Sequence, residues 1–123
     1  MNFDNFTIKA QEAVQHAVQT AQRTQRQAIT ATHLLQGVLA VGENVTQFLF
    51  GKTGVNADLL SRTIDSELQS LPRVEGGEPY LDRDANAALT AAQDIARRDG
   101  DQFVGLEPLL LALLTTDSTA SRL

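Results

Sequence analysis

The chain has 123 residues, 42% of them hydrophobic, enough for one core burying roughly two-thirds of the extended surface. Its net charge of −5 argues against a general nucleic-acid binder, which needs a basic face to displace counterions from phosphate. There is no cysteine, which excludes disulfides and thiolate metal sites and suits a reducing cytoplasm.

The amino end has no long apolar run, and the longest, Leu109–Leu114, is far too short to cross a bilayer. Neither a secretion signal nor a membrane span is expected. The Asn5-Phe6-Thr7 and Asn44-Val45-Thr46 sequons then read as chance matches.

The first helix is predicted from Phe6, Ala10, Ala13, Val14, Ala17, Val18 and Ala21, which recur at three-and-four spacing behind Thr7 as N-cap. Thr30 caps a second, His33–Val41, with Leu34, Leu35, Val38 and Leu39 inward and Gly42 as its stop. A short third helix holds Val45, Phe48 and Leu49. Asn56 caps a fourth, with a buried stripe of Leu59, Leu60, Ile64, Leu68 and Leu71, ended by Pro72. Asp82 caps a fifth, lined by Leu81, Ala85, Ala88, Leu89, Ala92 and Ala96 and closed by Gly100. The sixth runs through Leu109, Leu110, Leu113 and Leu114. No strand-like alternation competes. Arg23, Arg26, Arg97 and Arg98 are the only basic clusters, and their place near helix ends reads as capping.

Sliding the chain against itself by 75 positions superimposes Phe6–Leu39 on Leu81–Leu114, with nine identities, among them Ala13/Ala88, Arg23/Arg98, Leu34/Leu109 and Leu35/Leu110. The expected fold is all-α: a pseudo-two-fold duplicated helical bundle whose second repeat is truncated at its carboxyl end. One domain covers 1–123, with repeat one at 1–71, a linker at 72–79 and an incomplete repeat two at 80–123. Two copies are too few for a solenoid, and small alanines let helix axes approach closely.

Asn2 to Val14, the Ile29-Thr30-Ala31-Thr32-His33-Leu34-Leu35 stretch and Arg98-Asp99-Gly100-Asp101 resemble the N-terminal domain of Clp ATPases, most of all the ClpB-type disaggregase branch. The resemblance covers essentially the whole chain. It implies a pseudo-two-fold helical domain, joined by a mobile linker to hexameric ATPase rings, that engages unfolded or aggregated polypeptides or adaptor proteins. It implies no catalysis and no cofactor in this chain, with ATP used elsewhere in the parent protein. A cytoplasmic location is expected from the lack of cysteine, secretion signal and membrane span, and the isolated domain is expected to be a monomer.

The residues agree that enzyme chemistry is the minor hypothesis. Gly51-Lys52-Thr53 imitates the end of a phosphate-binding loop, but the earlier glycine falls at Thr46 and a helix precedes it. His16 and His33 fit no zinc motif, and no serine sits in a nucleophile elbow. His33 reads as a packing or capping residue.

The repeat points to a binding surface instead. Glu12, His16, Thr20, His33 and Gln36 correspond to Ala87, Ala91, Ile95, Pro108 and Leu111, so five polar positions become apolar in the second copy. The polar set is expected off the core. Ala87, Ala91 and Ile95, spaced by four, with Pro108 and Leu111, would then floor a groove for an apolar segment. A buried seam is the alternative.

Thr7, Asp101 and Glu107 match positions that the resemblance implicates in substrate binding, although capping and loop ordering also account for them. The alternative within the resemblance is a ClpC- or ClpA-type module that receives adaptors or degradation-tagged substrates for a protease; in ClpC-type domains a glutamate before the His-Leu-Leu motif helps read phosphorylated arginine. Here that position is Thr32, and Glu107 stands beside Pro108. A standalone helical interaction module is the third reading, without the heptad seam it would want.

Overall fold

The computed structural model describes residues 2–42, 47, 51, 54, 56–73 and 77–116. Among them five helices form: α1 (Ile8–Arg23), α2 (Ala31–Val41), α3 (Ala57–Gln69), α4 (Arg83–Arg98) and α5 (Leu106–Thr115). Two short strands, β1 (Ala28–Ile29) and β2 (Tyr80–Leu81), precede α2 and α4. The short helix expected over Val45, Phe48 and Leu49 lies outside the described residues, as do residues 74–76 of the expected linker.

The caps fall where the side-chain chemistry puts them. The Ala10 amide donates to Thr7 Oγ1 at 3.2 Å, the Leu59 amide to Asn56 Oδ1 at 3.0 Å and the Ala85 amide to Asp82 Oδ1 at 2.8 Å. Thr30 and His33 build a reciprocal capping box: the His33 amide donates to Thr30 Oγ1 at 3.3 Å, and the Thr30 amide donates to His33 Nδ1 at 3.1 Å. Because that box extends the helix back over the threonine, α2 starts at Ala31 rather than His33.

The two-fold is visible in individual hydrogen bonds. The Thr7 amide donates to the Val104 carbonyl at 2.9 Å, and the residues 75 positions away repeat the bond with roles exchanged, Asp82 donating to Ile29 at 3.0 Å. Each repeat thus lends one strand to the other: Phe6 bridges Val104, and β1 pairs in parallel with β2, Ala28 against Tyr80 and Ile29 against Leu81. Leu81, expected on the helix face, belongs to this pairing because Asp82 must stay extended to cap α4.

The turns after α1 and α4 match as well. The Arg26 amide reaches the Ala21 carbonyl at 2.7 Å and the Asp101 amide reaches Ala96 at 2.9 Å, each past a residue of positive φ, Gln25 at 60° and Gly100 at 78°.

α1 packs on α2 and α4 on α5, and the two hairpins meet chiefly through α2 and α5. Ala13, Ala17, Leu34 and Leu35 of one hairpin share a core with Ala88, Leu89, Leu109 and Leu110 of the other. A Cβ added to Gly37 would collide with the backbone carbonyl of Ala13, so glycine is what lets α2 lie against α1 at that crossing. The equivalent crossing uses Ala112.

Two apolar positions depart from expectation. Leu59 is exposed because, next to the Asn56 cap, it precedes the turn of α3 that reaches the core through Ile64 and Leu68. Leu114 is also partly exposed, near the end of α5.

Candidate functional site

The two-fold-related faces of the two hairpins differ in chemistry. In the second repeat, Ala87 is exposed, Ala91 and Pro108 are half-buried, and Leu111 is 49% exposed. Ile95, expected to line the groove, is only 8% exposed and joins the core. It seals the base of the face rather than offering itself to a ligand, because its turn of α4 faces the packed helices together with Ala92 and Ala96. What a partner can touch is Leu111, with Leu114 beside it one turn-step along α5, and the alanines of α4.

The polar counterparts in the first repeat do not all lie off the core. Glu12 is exposed and His16 and Gln36 are half-buried, but Thr20 and His33 are buried. Thr20 lines a cleft roofed by Leu68 and Gln69 of α3, and His33 turns inward because its Nδ1 is taken by the Thr30 amide. Burial, followed by the field of the neighbouring Arg26, lowers the His33 pKa to about 4. Since Thr20 and Gln36 line one cleft, their two-fold equivalents Ile95 and Leu111 share one face.

Arg26 corrects the helix-end reading in one respect. It caps, but from inside: its guanidinium donates to the Thr24 carbonyl at 2.6 Å and to the Gln69 carbonyl at 3.1 Å, tying the carboxyl ends of α1 and α3 together. Nothing in the local sequence signalled this, since the Gln69 contact spans 43 residues.

Thr7 and the segments that carry Asp101 and Glu107 flank the strand exchange in the chain. Thr7, half-buried, caps α1, and its methyl would lie 3.8 Å from a side chain added at Gly105, the N-cap of α5. Glu107 is exposed in the first turn of that helix, and Asp101 is exposed in the loop leading to Val104. Ile8 and Phe103, 76% and 53% exposed, are the chain neighbours of the hydrogen-bonded Thr7 and Val104. Asp82, the two-fold equivalent of Thr7, has its pKa raised, first by burial and then, after the partly offsetting Ala85 amide bond, by the charge of Asp84.

Among the described residues no cluster of histidine and carboxylates could hold a metal ion, and no helix is long and apolar enough to cross a membrane. The Lys52-Thr53 part of the loop-like motif lies outside the described residues.

The chain is similar to "Chaperone protein ClpB" of Bacteroides thetaiotaomicron, 53% identical over 121 residues, which is 98% of this chain and 14% of that protein. It is 47% identical over 123 residues to "Chaperone protein ClpB" of Porphyromonas gingivalis, all of this chain and 14% of that protein. It therefore spans about one-seventh of the length of these relatives.

In fold it is similar to the Hsp104 N-terminal domain of Candida albicans, with a TM-score of 0.85 at 20% identity over 97% of this chain and 79% of that one. The N-terminal domain of the ClpV1 ATPase from E. coli gives a TM-score of 0.82 at 24% identity over 90% of this chain and 68% of that one. The family model of the Clp repeat (R) N-terminal domain matches residues 5–123, and the chain belongs to that family.

Proposed function

We propose that this domain is the non-catalytic recognition module of a ClpB-type disaggregase, holding exposed apolar segments of unfolded or aggregated polypeptides for hexameric ATPase rings that lie outside it. ATP use belongs to those rings, adaptor proteins are co-ligands of the same surface, and the setting is cytoplasmic. The observation that carries the reading is the divergence of the two hairpins: Leu111 stands exposed on α5 where the first repeat has Gln36, and Ala87 stands exposed on α4 where it has Glu12. Thr7, Asp101 and Glu107 supply a polar end to the surface, able to hydrogen-bond the backbone of an extended client. Similarity to chaperones over the whole chain supports the same reading.

The test is Leu111→Asp. Fluorescence anisotropy with a permanently unfolded, labelled protein is expected to show affinity falling about fivefold, the loss of roughly 1 kcal/mol of apolar contact from a half-exposed leucine. Helicity by circular dichroism should stay unchanged, because Leu111 is outside the core. Unaltered affinity would remove the apolar face from the proposal.

A further inference from the structure

The first repeat's open face is a cleft of about 330 Å³ lined by Thr20, Arg23, Arg26, Gln36, Asp65 and Arg73, among others. In a chain of net charge −5 with ten basic residues, three arginines converge here against one carboxylate among the described residues. That carboxylate, Asp65, accepts from Gln36 Nε2 at 3.1 Å, and among the described residues none of the three arginines enters an ion pair.

Arg26 is only 6% exposed, held by two carbonyls, with no hydrogen-bond partner for Nε. Thr20 Oγ1 and Gln36 Oε1, also buried in the lining, lack partners too. Buried polar groups are almost always satisfied, and a desolvated cation without a counter-charge costs several kcal/mol. The two-fold equivalents of Thr20, Arg26 and Gln36 are Ile95, Asp101 and Leu111, so the second repeat has nothing resembling this set.

We propose that this cleft binds an oxyanion presented by a polypeptide, a carboxylate or a phosphoryl group, with the three guanidinium groups as its counter-charge. For the kind of molecule this rests on the polypeptide-binding reading above; for the place and chemistry it stands on the cleft alone. Arg23 and Arg73, exposed at the mouth, meet the anion first, and Arg26 sets the positive field beneath them. A client with an acidic segment beside an apolar one would engage both repeats of the domain at once.

The experiment is a titration of the 123-residue chain followed by backbone amide chemical shifts, with four probes: an acetylated, amidated triglutamate, its triglutamine counterpart, a phosphoserine tripeptide and inorganic phosphate. The expected result is saturable shifts at Thr24, Gln36 and Gln69 with one or both acidic peptides and none with triglutamine. The tighter peptide distinguishes carboxylate from phosphoryl. Arg23→Gln combined with Arg73→Gln, both at exposed positions, should weaken that binding about fivefold, as two partly solvated charge contacts do.

Saturation by inorganic phosphate without either acidic peptide overturns the proposal, as do shifts elsewhere, no saturable shift, or an unaffected double variant. Leu111→Asp is expected to leave acidic-peptide binding intact, so the apolar face and the cleft fail independently.

Discussion

The two hairpins share a backbone frame and divide their chemistry. α1–α2 and α4–α5 begin at side-chain caps, lend each other a strand and join their two helices through the same left-handed turn, yet one opens on arginines and the other on leucine and alanine. The difference teaches that the frame is held by positions alike in both halves, while others diverge whether buried, as Thr20 and Ile95 are, or further out, as Gln36 and Leu111 are. Function on this domain is therefore best sought in what the two-fold fails to repeat.

The largest break in that comparison is acidic pH. His33 has a folded pKa of about 4 against an ordinary value of 6.5, so between the two the unfolded chain binds the extra proton. Its contribution is complete above pH 6.5, is lost as pH falls and levels off below 4, in total about 3 kcal/mol. Denaturant unfolding at pH 7, 5.5 and 4 should show the decline. His33→Gln, which can keep the capping box without titrating, should flatten it. Pro108, the second-repeat equivalent, offers no such group; Asp82, with its raised pKa, acts in the opposite sense, stabilising towards acid.

A smaller effect comes from the helix crossing. Gly37→Ala should cost about 2 kcal/mol in the same assay, because the new methyl meets the Ala13 carbonyl and the helices must separate. The matching Ala112→Gly should cost about 1 kcal/mol through helix propensity alone. Equal costs would mean that the two crossings are alike after all.

The smallest concerns the turns. Gln25→Gly should raise the melting temperature slightly, by about 0.5–1 kcal/mol of stability, since φ is 60° there without a glycine to relieve it. Gly100→Gln should lower it by a similar amount.

The duplication, the caps at Thr7, Thr30, Asn56 and Asp82, and the alanine faces of α1 and α4 were legible in the sequence. Each is a pattern within one helix or a copy of such a pattern. His33 was readable as a capping residue for the same reason. The candidate site was legible only in part. Leu111 and Ala87 stand exposed as the comparison of repeats suggested, whereas Ile95 went inward and Thr20 with it, because the same turn of helix faces the packed hairpin in both copies. A change of polarity between repeats reveals divergence; it does not say which side of the helix faces water. The arginine cleft escaped notice because its lining joins α1 to α3 and Arg73, far apart in the chain.

Local chemistry by itself determined where helices start and stop, that there are two related units, and which family they resemble, since caps, glycine turns and apolar periodicity act over a few residues. Only tertiary packing decided which polar side chains are enclosed and which apolar ones remain outside. Burial depends on what another helix brings across the gap, and no spacing within one helix encodes that.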